Sequence, residues 1–301
     1  MLRSRYNRAF RSLMICSRTR GHPSDFTVPL MLPSKSDMTP ELLLRAKRRL
    51  LQMHYESGVG HIGGNLSSLD ILMTLYHEIL RPEDAFVLSK GHSAGALYVT
   101  LWSAGALCEE DLKCFHKDGT RLSGHPPVRG IPEILFATGS LGHGLSLAAG
   151  LALARRLKRE PGRVFCLMSD GEWNEGSNWE ALIFLKHHRL DNLTLIVDLN
   201  ELQGMGRTRD IADIAPLGDK FRAFGLPTVE VDGHNCASLA AALRRSETDP
   251  VAIVASTTKG HGVSFMEGNF EWHYLPIREE QYRQAILELS TECAKNSAVP
   301  S

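Results

Sequence analysis

What this 301-residue sequence lacks excludes several classes of protein. No run of 18 or more apolar residues occurs, so a membrane-spanning helix of ordinary length is not predicted. The six cysteines form no CxxC pair, and their scattered positions indicate reduced thiols in a cytoplasmic environment rather than a zinc site or a disulfide framework.

An excess of charge of one sign is also missing, because 34 basic and 34 acidic side chains balance at pH 7. Without a long-range field, nucleic-acid binding would need a local basic cluster, and only the N-terminus has one. Its arginines all precede the first acid, Asp25: Arg3, Arg5, Arg8, Arg11, Arg18 and Arg20. Without these six, 28 basic residues remain against 34 acidic ones, so the rest of the chain is mildly acidic.

Residues 1–37 combine arginine, serine and proline with no sustained apolar period. We therefore predict a disordered leader there and a single domain over residues 38–301. An acid-poor, arginine-rich leader is also typical of organelle transit peptides, and a start codon assigned too early would give the same composition. The sequence leaves these alternatives open.

From Thr39 onward the chain alternates between helical and strand patterns. Thr39, Pro40 and Glu41 predict the start of a helix, and Gly58 predicts its end. Further helices are predicted over residues 69–80, 141–157, 177–189, 237–246 and 279–290, and strands over residues 86–88, 164–168, 193–197, 229–231 and 251–255. Strands separated by helix-length segments predict an α/β fold with a mostly parallel sheet and helices on both faces.

Polar and glycine-rich residues follow four of the predicted strands, at the edge where parallel sheets bind ligands. Asp170 and Asn200 follow successive strands, and a right-handed crossover brings both to one edge. A carboxylate and an amide oxygen suit Mg²⁺, which completes its shell with water and phosphate oxygens, so a diphosphate ligand is implied. The glycines of residues 139–144 would let backbone N–H groups approach such an anion.

The glycines of residues 139–144 lack the G-x-G-x-x-G spacing of dinucleotide-binding folds, and no predicted strand is followed by that spacing. A nicotinamide-dependent oxidoreductase is therefore a poor alternative. Histidines form a second group of candidates in predicted loops: His61, His92, His125, His261 and His273. A single loop histidine is most often a surface residue, whereas several in one cavity can donate protons to oxyanions or sugar hydroxyls.

Seven motifs follow one another in the chain. They are Ser-Gly-x-Gly-His-x-Gly-Gly (57–64), Leu-Ser-Lys-Gly-His (88–92), Ser-Gly-His-Pro (123–126), Gly-Ser-Leu-Gly-x-Gly (139–144), Asp-Gly-Glu…Glu-Gly (170–176), Val-Asp-x-Asn…Leu-Gln (197–203) and Lys-Gly-x-Gly-Val-Ser-Phe-Met…Trp-His (259–273). In this order they resemble the transketolase family over residues 40–290, and most of all the N-terminal subunit of split bacterial transketolases. The resemblance implies a thiamine diphosphate-binding domain of an enzyme that carries a two-carbon ketol unit from a ketose phosphate to an aldose phosphate.

The resemblance also implies roles for single residues. Asp170, Asn200 and the carbonyl of Leu202 match Mg²⁺ ligands. Cofactor contacts are matched by Lys90, His92, Gly139, Leu141, Ser169, Gly171, Asn200, Lys259 and His273. The implied catalytic residues are His61 and His125, which would line the donor channel, and His92 and His273, which would touch the diphosphate or the reacting carbons. Glu175 and Glu180 resemble interface glutamates that link two active sites, although acids near a helix N-terminus are favoured in any case.

Four residues depart from the family pattern: Ser169, His143, His261 and Tyr274. None removes a metal ligand, but Ser169 adds a Cβ near the cofactor and Tyr274 would narrow the channel mouth. The donor and acceptor sugars therefore stay open, and a specialised paralogue with a different donor or acceptor is an alternative. A non-catalytic assembly subunit is a further one, which the retained ligands and histidines argue against.

In the family, the glutamate that activates the pyrimidine ring lies on a second α/β domain. This sequence ends at Ser301, soon after the Trp272-His273 motif, and leaves no room for such a domain. We therefore predict a separate C-terminal subunit that carries the pyrimidine-binding and C-terminal domains. An α₂β₂ assembly with cofactor between unlike chains follows, with no activity from this chain alone.

Overall fold

The computed structural model describes residues 38–245 and 250–297. The leader predicted over residues 1–37 lies outside the described residues. A sheet of five strands forms the middle layer, with helices on both faces. Within the described ranges, no helix is both long and apolar enough to cross a membrane.

The middle sheet is parallel throughout. In chain order the strands are β1 (Ala85–Leu88), β2 (Val164–Ser169), β3 (Leu193–Leu199), β4 (Leu202–Gln203), β5 (Gly206–Arg207), β6 (Thr228–Asp232) and β7 (Val251–Ser256). Strands β1, β2, β3, β7 and β6 lie side by side in that order, and β4 pairs with β5 in a separate ladder. All five predicted strands are confirmed to within two residues at each end. Strands β1, β2, β3 and β7 are apolar runs, which are typical of strands buried on both faces, whereas β6 is a partly exposed edge strand.

The α-helices of the described residues are α1 (Pro40–Ser57), α2 (Ile62–Thr74), α3 (Ala94–Ser103), α4 (Glu109–Leu112), α5 (Gly144–Lys158), α6 (Gly176–His187), α7 (Thr208–Ala212), α8 (Leu217–Ala223), α9 (Cys236–Arg245) and α10 (Glu279–Ser297). Alternate residues of the strands face two separate cores. Phe165 and Leu167 of β2 pack in one core with α1, α2, α3, α9 and α10, whereas Cys166 and Met168 pack in the other with α5, α6 and α8. Each such buried side chain stabilises the fold by about 1.5–3 kcal/mol, and together they confirm the predicted three-layer arrangement.

Helix α1 begins and ends where the sequence predicts. The Thr39 hydroxyl accepts a hydrogen bond from the N–H of Leu42 at 3.2 Å, and Gly58 closes the helix with φ +65°. Gly58, Gly60 and Gly63 have the G-x-G-x-x-G spacing, yet they connect α1 to α2 and follow no strand. The spacing therefore does not form a dinucleotide-binding turn here.

The prediction of a helix over residues 69–80 is wrong at its start and right to within one residue at its end. Helix α2 begins earlier, at Ile62, and continues into a π-helical turn over Leu75–Ile79. Glycine disfavours a helix in isolation, but a Cβ at Gly63 would lie only 3.0 Å from Cγ of Lys259. The first turn of α2 is therefore stabilised by its close packing against the loop after β7, and the missing side chain of Gly63 permits that contact.

Helix α3 is not predicted by the sequence, although residues 94–101 are all buried. A helix that is apolar on every side has no amphipathic period to detect. The other predicted helices correspond to α5, α6, α9 and α10, with α10 extending to Ser297.

Candidate active site

Four histidine side chains meet at the carboxyl edge of the sheet. His61 precedes α2, His92 follows β1, His125 lies in the loop before α5, and His273 lies in the turn Phe270–His273. Between ring centroids, His61 is 5.0 Å from His273, 5.6 Å from His125 and 5.8 Å from His92. The structure thus brings together the four histidines to which the sequence assigned catalysis.

The backbone of His61 has an unusual conformation. Its φ of +67° lies in the left-handed region, which costs a non-glycine residue of order 1–3 kcal/mol. Its N–H donates to the carbonyl of His273 at 2.9 Å, and its carbonyl accepts from the side-chain amide of Asn65 at 2.8 Å. The same amide donates to the carbonyl of His92 at 3.0 Å. Asn65 therefore ties two of the histidine loops together.

Burial keeps these imidazoles neutral. Burial, the nearby His125 and the charge of Lys259 lower the pKa of His61 to about 4. Burial and Lys259 lower the pKa of His273 to about 3, and burial and Lys90 hold the pKa of His92 well below its usual range. A neutral imidazole offers one donor and one acceptor nitrogen, so the cluster can bind hydroxyl groups at pH 7.

Acidification is expected to destabilise the chain through this cluster. An unfolded histidine takes up a proton near its pKa of 6.5, whereas folded His61 and His273 do so only near pH 4 and 3. Because the unfolded state binds more protons in between, the free energy of unfolding should fall as the pH drops from about 6.5 to about 4. Urea denaturation at a series of pH values measures the slope. In the doubly substituted His61→Asn/His273→Asn chain, the free energy of unfolding should depend less steeply on pH. A slope equal to that of the wild type would show that these two histidines do not cause the pH dependence.

A buried ion pair links β1 to β3 at this edge. The ammonium of Lys90 donates to the carboxylate of Asp198, and both side chains are fully buried. The same carboxylate accepts hydrogen bonds from Ser67, Thr257 and Asn200. Lys90 is predicted to contact a cofactor; the structure shows its ammonium on Asp198, and the cofactor contact stays a prediction.

Lys259 reaches the same edge from the loop after β7. Its ammonium is 3.0 Å from the carbonyl oxygen of Leu202 and 3.3 Å from Nδ1 of His273. Burial and the charge of Lys90 lower its pKa to about 8, so it is mostly a cation at pH 7. An anion that enters the histidine cluster would therefore meet a positive charge.

Asp170 is a buried carboxylate in the loop after β2. Its side chain is almost fully buried and accepts hydrogen bonds from the N–H of Gly171 at 2.7 Å and the hydroxyl of Thr208 at 3.1 Å. Across residues 38–245 and 250–297, no lysine, arginine or histidine forms an ion pair with it. Burial and the neighbouring Asp198 raise its pKa to about 6. A bound cation would stabilise this carboxylate.

The other two predicted metal ligands lie with Asp170 on the wall of one cavity of about 680 Å³. The amide of Asn200 donates to Asp198 at 3.3 Å, and its Oδ1 accepts from the N–H of Leu202 at 3.2 Å. The carbonyl of Leu202 already attracts one cation, the Lys259 ammonium. A carboxylate, an amide and a carbonyl oxygen together fit Mg²⁺, which prefers hard oxygen ligands.

The glycine-rich loop over residues 139–144 packs beside the histidine cluster. A Cβ at Gly139, whose φ is +152°, would lie 3.0 Å from the ring of His125. The N–H of Gly142 donates to the buried carboxylate of Glu172 at 2.9 Å, which joins the loop to the end of β2. Helix α5 begins directly after the loop, so its N-terminal N–H groups face the same edge.

The remaining predicted cofactor contacts lie around this edge. Ser169 is buried at the last position of β2, and a Cβ at Gly171 would lie 2.8 Å from the side chain of Gln203. Leu141 is half-buried in the glycine-rich loop, and its carbonyl lies 3.2 Å from Nδ1 of His143. The cofactor contacts of these residues stay predictions.

Tyr274 borders the cluster. It is 62% exposed, its ring lies 4.7 Å from that of His273, and its hydroxyl is so close to Gly204 that a Cβ there would clash with it. Glu175 and Glu180, by contrast, are exposed in the first turns of α6. Their contact with a second protein stays a prediction.

Sequence reasoning missed Asp70 and His234. Nδ1 of His234 lies 2.6 Å from Oδ2 of Asp70, and its ring stacks on His261 with 3.5 Å between centroids. His261 therefore belongs to a second group and not to the four-histidine cluster. His234 follows β6 as Asp170 follows β2, so the same strand-end rule would have found it. Asp70 lies within α2 and gives no comparable signal.

The carboxyl edge of this parallel sheet carries carboxylate, amide and carbonyl oxygens, a glycine-rich loop, lysines and neutral imidazoles. Such an edge is typical of α/β domains that bind phosphorylated ligands. Comparison with known proteins agrees. The family profile described as "Transketolase, thiamine diphosphate binding domain" matches residues 46–301. The chain therefore belongs to the transketolase family, of which it represents the N-terminal, thiamine diphosphate-binding part.

Two similar proteins are themselves subunits. The apulose-4-phosphate transketolase subunit of Phocaeicola vulgatus is 38% identical over 261 residues, 83% of this chain and 92% of that protein. A 6-deoxy-6-sulfo-D-fructose transketolase subunit of Clostridium sp. is 39% identical over 249 residues, 79% of this chain and 90% of that protein. The solved transketolase of Leishmania mexicana superposes with a TM-score of 0.73 at 25% identity over 87% of this chain, which spans 46% of that structure.

Proposed function

We propose that this chain forms the diphosphate half of a transketolase active site that transfers a two-carbon ketol unit from a ketose phosphate to an aldose phosphate. The observation that carries the proposal is the meeting of His61, His92, His125 and His273 beside the glycine-rich loop. Neutral imidazoles can bind sugar hydroxyls and move protons at pH 7.

Thiamine diphosphate with Mg²⁺ is the cofactor that these residues would hold. Asp170, Asn200 and the carbonyl of Leu202 would bind Mg²⁺, and the burial of Asp170 without an ion-pair partner among the described residues supports this. Lys259 and the glycine-rich loop would bind the diphosphate. Further cofactor contacts are proposed for Lys90, His92, Gly139, Leu141, Ser169, Gly171 and His273. When bound, thiamine diphosphate supplies the carbon nucleophile for ketol transfer.

The positions of the four histidines suggest two different roles, one toward the diphosphate and one toward the sugar. His273 lies 3.3 Å from the Lys259 ammonium, and His92 is two residues from Lys90, so both would face the diphosphate. His61 and His125 form the other side of the cluster and would hydrogen-bond the oxygens of the sugar.

Replacing His61 or His125 with alanine is expected to lower kcat by about 100-fold or more, because each change removes a group that binds or moves a substrate proton. The affinity for thiamine diphosphate should change little. Steady-state kinetics of the assembled enzyme, with cofactor and sugar varied separately, make the distinction.

His116 offers a matched control, since its backbone has a similar left-handed φ of +57° but its ring packs against Phe115 and beside Gly124 and not against the four clustered histidine rings. His116→Ala should leave kcat close to the wild-type value. A loss of cofactor affinity with normal kcat in the His61 or His125 variant would show that these roles are assigned wrongly.

We further propose that a partner subunit completes the site. The adjacent helices α5 and α6 expose apolar side chains to solvent: Leu157 at 75%, Ile183 at 58% and Phe184 at 38%. Such side chains on one side of the sheet favour a protein interface. Glu175 and Glu180 belong to the same region, which supports an α₂β₂ assembly with linked sites.

The second candidate function is that of a transketolase-like enzyme specialised for a different donor or acceptor sugar. The similar subunits are named for apulose-4-phosphate and for 6-deoxy-6-sulfo-D-fructose, and Tyr274 borders the cluster in this chain. Calorimetric titration with thiamine diphosphate and Mg²⁺ in the presence of the partner tests cofactor binding. A ketol-transfer assay over a panel of ketose and aldose phosphates then separates the two candidates. The free thiols of Cys108, Cys114, Cys166 and Cys236 support a cytoplasmic location as part of this proposal.

A further inference from the structure

A second group of polar side chains lies on the same edge of the sheet, next to the loop after β7. Asp70 of α2, His234 after β6 and His261 after β7 bring three possible metal-ligand atoms within 4.8 Å of one another. Two contacts disfavour a metal there. Nε2 of His234 is taken by the N–H of Thr258, and the ammonium of Lys47 already lies 3.4 Å from Asp70.

The hydrogen bonds of His234 fix its tautomer. The N–H of Thr258 donates to Nε2 at 2.8 Å, so Nε2 carries the lone pair. The ring proton must then lie on Nδ1, where it is donated to Oδ2 of Asp70 at 2.6 Å. The carboxylate thus holds the ring in the one neutral form that can accept from the backbone.

The peptide that His234 holds belongs to the segment over residues 257–260. Within that segment Thr257 donates to Asp198, Lys259 contacts Leu202 and His273, and the N–H of Gly260 donates to the carbonyl of Gly63 at 2.9 Å. Thr258 is the remaining residue of the segment, and its side chain forms none of these contacts. Its backbone is held through the His234 ring.

We propose that Asp70 and His234 are positioning residues that set the place of the segment over residues 257–260, and with it the Lys259 ammonium. Neither residue touches the histidine cluster, so neither is a catalytic residue. For activity the proposal rests on the function proposed above, whereas the structural part can be tested without it.

The surroundings of the pair favour this arrangement. The charge of Lys47 and the hydrogen bond from His234 hold the pKa of Asp70 below its usual range in spite of burial, so the carboxylate stays ionised. His261 stacks on the outer face of the His234 ring, and its Nδ1 lies 3.5 Å from the carboxylate of Glu267. The ring is therefore held by one hydrogen bond at each nitrogen and by a stacked neighbour.

Two substitutions of His234 separate the two hydrogen bonds. In His234→Gln the end of the side chain reaches the position of Nε2, so an acceptor for Thr258 is retained. In His234→Asn the amide reaches only the position of Nδ1, so the contact with Asp70 is retained and the acceptor is lost. If His234 only filled space, the position of the segment over residues 257–260 would not depend on whether this acceptor is retained.

Hydrogen exchange of the full chain measures the positioning directly. We expect the peptide that covers residues 257–260 to exchange at least about tenfold faster in His234→Asn and in Asp70→Leu, and near the wild-type rate in His234→Gln. In the assembled enzyme, the thiamine diphosphate concentration for half-maximal rate should rise about tenfold in His234→Asn, with an unchanged KM for the sugar.

Equal exchange in all three variants, or equal loss in the glutamine and asparagine variants, would overturn the positioning role. If Asp70→Leu fails to fold, nitrogen-15 NMR of the wild-type histidines still decides, because a proton on Nε2 of His234 would contradict the proposal. An assembled wild-type enzyme without ketol transfer would refute the proposed function while leaving the exchange result intact.

Discussion

Replacing Asp170 with alanine is expected to abolish Mg²⁺-dependent binding of thiamine diphosphate. Asp170 is a buried carboxylate without an ion-pair partner among the described residues, and a bound cation is what would compensate it. Removing a charged ligand should lower the affinity by at least about 100-fold, whereas Asn200→Ala, which removes a neutral ligand, should have a smaller effect.

The measurement is calorimetric titration of the assembled enzyme with thiamine diphosphate at several Mg²⁺ concentrations. Asp210→Ala is the matched control, because Asp210 lies on the nearby helix α7 but is 66% exposed. The control should bind like the wild type. If Asp170→Ala bound thiamine diphosphate with wild-type affinity, Asp170 would not be a metal ligand. If Asp170→Ala and Asp210→Ala lost the same affinity, the effect would not be specific to Asp170.

The purified chain alone is expected to show no ketol transfer, and activity should appear when the partner subunit is added. Three similar proteins that match over 90% or more of their own length are named as transketolase subunits. All the cofactor-binding groups proposed for this chain lie at a single sheet edge, and we propose that the partner subunit binds the pyrimidine end of the cofactor. Gel filtration after co-expression should give a complex larger than either subunit.

The exposed apolar side chains of α5 and α6 allow the interface to be tested. Ile183→Glu should weaken assembly and activity together, because it places a charge in the proposed contact. Leu287→Glu is the control, since Leu287 is 68% exposed but lies on α10, on the other side of the sheet. Full activity of the single purified chain would refute the split site, and an equal effect of both variants would refute the location of the interface.

The sequence predicts the sheet and the position of the polar residues at its strand ends well, because both depend on short-range patterns. Apolar runs such as residues 164–168 fit strands of a buried sheet, and the polar residue that follows each of them must then lie at its carboxyl edge. The placement of Asp170 and Asn200 at one edge can therefore be predicted from the sequence alone. The four histidines are found because most of them stand beside glycine or proline in a loop.

Long-range contacts explain what the sequence does not predict. The start of α2 at Ile62 depends on packing of Gly63 against a loop almost 200 residues later, which no local pattern contains. The Asp70–His234 pair joins a helix to a strand end across 164 positions of sequence. Asn65 and Glu172 likewise hold loops in place through contacts that only the folded chain creates.

The hydrogen bonds of Asp198 couple four segments of the chain at the carboxyl edge of the sheet. Its carboxylate is bound by Lys90 after β1, Ser67 of α2, Thr257 after β7 and Asn200 after β3. Release of any one of these segments would leave part of a buried charge without a partner, which is more costly than breaking a surface contact. The loops that carry the proposed cofactor-binding groups should therefore open together as one cooperative unit, with a single opening rate shared by segments far apart in the chain.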